Sequence, residues 1–131
     1  MNTVNVVCAV LRDGNKIFAA RRGYGKYKGF WEFPGGKIEN GETPEQALKR
    51  ELSEELDIEI SVGDLTGTVE YDCPEFHLCM KCFWAEISGG KMLVKEHEEV
   101  RWLGPDELHG VQWLPSDDGL LVLIESALRG Q

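Results

Sequence analysis

Residues 36–58 contain the sequence pattern of a helix with recognisable start and end residues. This pattern constrains the fold more than any other feature of the sequence. Thr43, Pro44 and Gln46 form the pattern of a capping box. In this motif a threonine hydroxyl accepts from a backbone N–H, proline occupies the first helical position, and glutamine reaches back to the cap. The spacing therefore predicts a helix that begins at Pro44 and ends near Leu56.

One face of this predicted helix is acidic. At about 100° per residue, Glu51, Glu54 and Glu55 fall within an arc of roughly 100°. The adjoining arc is apolar and should face a core: Leu48, Leu52 and Leu56. Crowded carboxylates repel one another unless a cation lies between them. Ligands that are all oxygen suit hard ions such as Mg²⁺ or Mn²⁺. An acidic face that contacts only water is the alternative.

A glycine-rich loop precedes the helix and favours the metal interpretation. Phe33, Pro34, Gly35, Gly36 and Lys37 follow the apolar, strand-like residues 31–33. Glycine lets backbone carbonyls and amides approach a metal or a phosphate closely. A strand, a glycine loop and a capped helix with three carboxylates together predict a metal–diphosphate site.

The same segment resembles the Nudix box, the signature of hydrolases that cut nucleoside diphosphates linked to another moiety. The match consists of Gly36, five residues, Glu42, seven residues, and then Arg50–Glu55 followed by Ile58. The one departure is Asp57, where the family pattern has glycine. A left-handed residue is favoured at a helix C-terminus, and aspartate tolerates that conformation. The resemblance implies the α/β Nudix fold, a mixed sheet sandwiched between helices (α/β/α).

Length and charge agree with a small nucleotide enzyme. The 131 residues form one predicted Nudix domain, 1–131, with room for a single core. A net charge of −9 argues against a polymeric nucleic acid or an anionic membrane as partner, because both require basic patches. No window is apolar for long enough to span a bilayer, and residues 1–3 are not expected to open a signal peptide. We therefore predict a cytoplasmic protein; the sequence does not define its oligomeric state.

Apolar patterns and turn residues predict the remaining elements. We predict strands at 4–11, 16–20, 59–62, 65–71, 76–87 and 99–103, with turns at 13–15 and 88–90. One helical turn is expected at 105–108, and a last helix at 117–128 with Ser116 as its cap.

The four cysteines and three histidines predict no further site. Cys79 and Cys82 form a C-x-x-C within a predicted strand, where odd spacing points them to opposite faces and suits neither zinc nor a disulfide. We predict thiols in the core of a protein from a reducing compartment. His77, His97 and His109 have no ligand spacing and are expected to be structural or exposed.

Beyond the box, the resemblance covers nearly the whole chain and is greatest to the MutT-like branch, the small nucleoside triphosphate pyrophosphohydrolases. It implies that Arg22 contacts substrate phosphates, although an exposed basic residue is the alternative. It also implies that Phe33 lines the nucleotide pocket and that the Gly35 carbonyl is a metal ligand. Lys37, beside the glycine loop, is expected to help hold a phosphate.

Two later segments complete the implied site. Alignment on Trp102 selects Glu96 as an additional metal ligand, with Glu98 and Glu99 as alternatives. Asp117 matches the residue that hydrogen-bonds the base edge in this branch. An acid in the first turn of a helix is also favoured by the helix dipole alone.

The implied reaction is metal-dependent hydrolysis at phosphorus. Glu51 is assigned as the base that takes the proton from the attacking water. Glu54 and Glu55 are assigned mainly as ligands, together with Gly35 and Glu96. Arg50 is expected to orient Glu51 or to pair with Glu42.

The expected reaction converts nucleoside or deoxynucleoside triphosphates into monophosphate and pyrophosphate. Two substrate groups are consistent with this branch: oxidised guanine nucleotides such as 8-oxo-dGTP, removed from the nucleotide pool, and CTP or dCTP. Phe76 stands where one oxidised-guanine enzyme type has arginine. The alternatives are a Nudix hydrolase of a dinucleotide or nucleotide sugar such as ADP-ribose, and a non-catalytic nucleotide-binding module.

Overall fold

The computed structural model describes residues 2–130. Within them, the strands are β1 (Asn2–Asp13), β2 (Lys16–Arg22), β3 (Trp31–Glu32), β4 (Gly35–Lys37), β5 (Ile58–Asp72), β6 (Phe76–Gly90) and β7 (His97–Leu103). The helices are α1 (Pro44–Leu56), α2 (Pro115–Asp118) and α3 (Leu121–Arg129), with a 3₁₀ turn at Leu108–Gly110. The ends of the predicted domain, Met1 and Gln131, lie outside the described residues.

Strand β1 organises a mixed sheet. It pairs in parallel with β6 and antiparallel with β2 and β4, in the order β3-β2-β1-β6-β5. Strand β7 pairs antiparallel with β2 and is not part of this order. The predicted mixed sheet is therefore confirmed.

Helices cover both faces of β1, whose side chains alternate between them. Val7, Ala9 and Leu11 pack with the buried leucines of α1, whereas Cys8 and Val10 pack with a second cluster. The second cluster includes the apolar residues of α3: Leu121, Ile124 and Leu128. The sequence of a strand that is buried on both faces is a continuous apolar run, and for this reason β1 could be predicted from the sequence. Among the helices of residues 2–130, none is long and apolar enough to cross a membrane.

Helix α1 has the predicted boundaries and caps. The Gln46 N–H donates to Thr43 Oγ1 at 3.1 Å, and the Thr43 N–H donates to Gln46 Oε1 at 2.9 Å. Asp57 caps the other end in the left-handed conformation, with φ 57° and ψ 33°. Lys95 Nζ lies 2.7 Å from its carboxylate. Asp57 thus takes the left-handed role of the family's glycine.

The β5–β6 hairpin is longer than predicted. The strands expected at 59–62 and 65–71 form one strand, because register shifts around Gly63 absorb the irregular residues without ending the pairing with β6. The predicted turn at 88–90 is wrong. Gly89 and Gly90 continue β6 and pair with Glu59 and Ile58.

The C-terminal region is also divided differently. The helix predicted at 117–128 is two helices, α2 and α3, interrupted at Gly119–Leu120. Ser116 is not its cap: the hydroxyl donates to Asp117 Oδ1 at 3.1 Å, and α2 begins at Pro115. The turn predicted at 105–108 extends into the 3₁₀ turn that ends at Gly110.

The prediction that all cysteines are thiols is wrong for one pair. Cys8 and Cys82 form a disulfide across the parallel strands β1 and β6, where they are register partners with Cα atoms 4.6 Å apart. Cys73 and Cys79 are free. The disulfide joins residues 74 positions apart, so it depends on strand register rather than on local spacing.

Candidate active site

Two adjoining cavities lie at the glycine loop. The first, the acidic cavity, has a volume of about 230 Å³ and is lined by Arg22, Tyr24, Glu32, Gly35, Glu51, Glu55, Glu96 and His97. The second, the apolar cavity, has a volume of about 380 Å³, and its lining includes Phe33, Lys37, Tyr71, Phe76, Leu78 and Asp117. Arg22, Glu32 and Gly35 line both cavities and form their common border.

Glu55 is the most perturbed carboxylate of the acidic cavity. Burial raises the pKa of Glu55, and so do the hydrogen bond that its protonated form donates to Glu51 and the negative charges of Glu51, Glu32 and Glu96. Its Oε2 atom is buried without a hydrogen-bond partner among residues 2–130. A desolvated carboxylate surrounded by carboxylates is stabilised by a cation.

The donor atoms available to such a cation are all oxygens: the carboxylates of Glu51, Glu55 and Glu96 and the backbone at Gly35. This set fits a hard divalent ion. In the described part of the chain, no three His, Cys, Asp or Glu side chains are already grouped closely enough to hold a metal. Coordination by this set therefore requires side-chain rotation.

Arg50 links the segments of the Nudix box through hydrogen bonds. Its Nε donates to Glu42 at 2.7 Å, its Nη1 to Glu51 at 2.9 Å and to Glu54 at 3.0 Å, and its Nη2 to the Lys37 carbonyl at 3.0 Å. These partners raise the Arg50 pKa, with Glu42 contributing most. Arg50 thus contacts both Glu51, which it was expected to orient, and Glu42, with which it was expected to pair.

Glu54 lies apart from the other two helix glutamates. Its side chain is 54% exposed and pairs with Arg50, and it does not line the acidic cavity. Glu51 and Glu55 face that cavity from the same helix. The structure thus brings together two of the three predicted helix ligands.

Of the three glutamates near β7, only Glu96 reaches the acidic cavity. Glu98 pairs with Arg21 at 3.3 Å, and Glu99 pairs with Arg21 at 3.4 Å and Arg101 at 2.8 Å. The alternative ligands Glu98 and Glu99 are therefore occupied elsewhere.

The two glycines of the loop are closely packed against their neighbours. A Cβ at Gly35 would collide with the Val7 carbonyl and lie 2.7 Å from Cys8 Cα. A Cβ at Gly36 would collide with the Glu51 carboxylate. The loop can therefore lie against β1 only because Gly35 has no side chain, whereas a side chain at Gly36 would displace the flexible Glu51 carboxylate.

Phe33 and Asp117 build the inner end of the apolar cavity. Phe33 packs against Trp113, with ring centroids 4.6 Å apart, and its N–H donates to Asp117 Oδ2 at 2.8 Å. Burial raises the Asp117 pKa to about 7, although the Phe33 N–H opposes this rise. A buried carboxyl group at the end of an apolar pocket is suited to recognising a polar group of a ligand.

A hydrogen-bonded cluster of three side chains lies on the border of the two cavities. The spacing of these residues in the sequence does not reveal the cluster. Arg22 Nε donates to Glu32 Oε1 at 3.0 Å, and His97 Nε2 lies 2.9 Å from Glu32 Oε2. His97, expected to be only structural or exposed, lines the acidic cavity with a side chain 6% exposed. Its contact with Glu32 depends on the pairing of three strands, which no local motif encodes.

The sheet, the capped acidic helix and the paired cavities define a Nudix fold, and the sequence comparison agrees. The profile of the NUDIX domain matches residues 1–122, so the chain belongs to the NUDIX family. The solution structure of the E. coli ORF135 protein superposes with a TM-score of 0.86 at 30% identity, covering 100% of this chain and 94% of that one.

Curated relatives narrow the class to the MutT-like branch of Nudix hydrolases. The chain is similar to the 8-oxo-dGTP diphosphatase of Escherichia coli K12, at 32% identity over 127 residues, which cover 95% of this chain and 98% of the relative. It is also similar to the CTP pyrophosphohydrolase of the same organism, at 34% identity over 122 residues, covering 92% and 90%. The predicted membership of this branch is confirmed.

Proposed function

We propose that this enzyme hydrolyses nucleoside and deoxynucleoside triphosphates to a monophosphate and pyrophosphate, with Mg²⁺ as its metal and Mn²⁺ as a substitute. The observation that carries the proposal is the border between the two cavities. An acidic cavity for metal-bound phosphates meets an apolar cavity for a base, and Arg22 lies between them. The net charge of −9 also favours a small nucleotide over a polymeric nucleic acid or a membrane.

The metal would be held by Glu51, Glu54, Glu55, Glu96 and the Gly35 carbonyl, with Glu54 turning away from Arg50 to join the set. A bound divalent ion offsets phosphate charge and lowers the pKa of water. Glu51 accepts the proton of the attacking water, and Arg50 holds its carboxylate in orientation. Arg22 donates to a substrate phosphate through its terminal nitrogens, and Lys37 supplies a second positive charge.

Asp117 supports recognition of the base. One of its oxygens accepts from the Phe33 N–H and the other from Ser116, and each carboxylate oxygen has a further lone pair. That lone pair can accept from an exocyclic amine, which cytosine and guanine carry and which uracil and thymine lack. Phe33 provides the apolar surface beside it.

This acceptor is compatible with both substrates named for the similar E. coli enzymes, 8-oxo-dGTP and CTP. We therefore propose either removal of oxidised guanine nucleotides from the nucleotide pool or hydrolysis of CTP and dCTP. Phe76 and Leu78 present apolar surface to the base in the same cavity.

A turnover panel with product analysis tests this proposal. The enzyme would be assayed with Mg²⁺ and 8-oxo-dGTP, the common NTPs and dNTPs, and ADP-ribose. We expect monophosphate plus pyrophosphate from 8-oxo-dGTP or a cytosine triphosphate, with UTP and dTTP much poorer. Turnover of ADP-ribose alone, giving two monophosphates, would instead indicate a nucleotide-sugar hydrolase. Binding without turnover of any compound would indicate a non-catalytic module.

We expect Asp117→Asn to stabilise the fold at neutral pH while weakening base recognition. The folded pKa of about 7 exceeds the ordinary value of 3.8, so the folded state binds the proton more tightly than the unfolded state does. The cost of ionising Asp117 is absent below pH ~4, grows as the pH rises, and is complete above pH ~7. Asparagine removes that cost and can still accept from the Phe33 N–H.

Urea unfolding of both proteins at pH 4, 6 and 8 measures this effect. The variant should be more stable by about 4 kcal/mol at pH 8, with little difference at pH 4. A stability difference that does not change with pH would contradict the burial of an ionisable carboxyl group. The same variant should show a raised KM for the preferred triphosphate.

A further inference from the structure

We propose that His97 is a positioning residue that acts through Glu32 to hold Arg22 ready for a substrate phosphate. This inference rests on the proposed function, because it requires a substrate with a phosphate at the border of the two cavities. His97 itself has no assigned contact with substrate. Its role is to complete a chain of two hydrogen bonds, His97–Glu32–Arg22.

Three adjacent strands bring these side chains to one face. Glu32 on β3 pairs with Ala20 on β2, and His97 on β7 pairs with Arg22 on β2. Residues two apart on a strand share a face, so Ala20 and Arg22 do so. Ala20 packs in the core cluster beneath α1. The chain of hydrogen bonds therefore lies on the face that also carries the box glutamates.

The Glu32 carboxylate is held from both ends. One oxygen accepts from Arg22 and the other contacts His97, at 3.0 and 2.9 Å, and the side chain is only 17% exposed. A carboxylate accepts but does not donate, so the Nε2 of His97 is the donor. Loss of this donor would leave a partly buried oxygen unpaired, which is costly.

The charges around Arg22 explain why it needs such support. The acidic cavity contains the carboxylates of Glu51, Glu55 and Glu96, each able to attract a guanidinium. The pairing with Glu32 uses Nε, and among residues 2–130 the terminal nitrogens of Arg22 make no hydrogen bond. Glu32 therefore occupies the Nε of Arg22 and leaves the terminal nitrogens of the guanidinium free for a phosphate.

Packing alone does not explain a histidine at this position. The His97 side chain is almost completely buried, and its Nδ1 has no hydrogen-bond partner within the described residues. An apolar side chain would fill the same space without burying an unpaired polar atom. The donor to Glu32 is the feature that an apolar residue lacks.

Substitutions at His97 test the proposal by separating the donor from the volume. His97→Phe keeps a ring without a donor, and His97→Gln keeps an amide N–H. With the preferred triphosphate, we expect His97→Phe to raise KM on the order of tenfold and to change kcat little. The reason is that Arg22 binds the phosphate equally well in the bound substrate and in the transition state, so its loss weakens binding without slowing the chemical step. His97→Gln should restore most of the affinity. His109→Phe is the matched control, since His109 is exposed and pairs with Glu125 away from both cavities.

A double-mutant cycle shows whether His97 acts through Arg22. If it does, His97→Phe should change KM far less in an Arg22→Ala background than in the wild type. Independent effects that multiply would overturn the proposal. So would a His97→Phe protein that loses thermal stability and kcat while KM stays at the wild-type value.

Equilibrium binding provides a readout that does not depend on turnover. Titration calorimetry with the α,β-imido analogue of the preferred triphosphate and Mg²⁺ should show the same loss in His97→Phe and the same recovery in His97→Gln. Wild-type enzyme that hydrolyses no triphosphate would refute the proposed function. Wild-type turnover with equal affinity in all His97 variants would refute the positioning role alone.

Discussion

Replacing Glu51 by glutamine is expected to lower kcat by about three orders of magnitude while leaving the protein folded. General base catalysis alone contributes roughly 10²- to 10⁴-fold, and the glutamine also loses a charged ligand for the metal. The substitution keeps the side-chain shape, and Arg50 retains its two hydrogen bonds to Glu42. The measurement is kcat at saturating Mg²⁺ and substrate, together with a thermal unfolding curve.

Glu45→Gln on the same helix is the matched control. Glu45 lies in the first turn of α1, 58% exposed, where it pairs with Lys49 at 3.3 Å. Its removal changes the net charge by the same amount without touching either cavity, so kcat should stay at the wild-type value. A Glu51→Gln protein with kcat within tenfold of wild type would exclude Glu51 as the base. Glu55 or Glu54 would then be assigned as the general base.

The parts of the candidate site that could be predicted are those that depend on residues close together in the sequence. The start of α1 follows from Thr43 and Pro44, and its acidic face follows from helical periodicity. The glycine loop and α1 are consecutive, so local rules also place Gly36 beside Glu51. Phe33 and Asp117 required the resemblance to the family, because 84 residues separate them.

The features that were not predicted depend on register between distant strands. The Cys8–Cys82 disulfide exists only because β1 and β6 pair in parallel with those residues opposite each other. His97 reaches Glu32 only because β7 and β3 flank the same strand. Side-chain direction along one strand can be inferred from alternation, but the identity of the facing residue cannot.

The position of Glu54 illustrates a different limit. Helical periodicity places it in the same arc as Glu51 and Glu55, yet Arg50 holds it at the exposed edge of the cluster. An arc on a helical wheel defines the direction of a Cβ and not the position of a carboxylate at the end of a flexible side chain.

Replacing Gly35 by alanine is expected to lower the free energy of unfolding by about 3 kcal/mol or more and to abolish turnover. The added Cβ would collide with the Val7 carbonyl and crowd Cys8 Cα, and both belong to the backbone of the central strand β1. Neither can move without disturbing the pairing of β1 with β4 and β6. Overpacking against backbone is among the most destabilising single changes. Any movement of β4 also displaces the carbonyl proposed to bind the metal.

Gly119→Ala shows whether this loss comes from the collision rather than from the loss of a flexible residue. Gly119 has φ −64°, and a Cβ there would meet no atom within 4 Å. Alanine at such a position restricts the unfolded chain and should raise stability by about 0.4–1 kcal/mol. Urea unfolding of both variants beside the wild type makes the comparison. Equal stability of Gly35→Ala and wild type would mean that β4 can withdraw from β1. The proposed metal site would then be mobile at its backbone ligand.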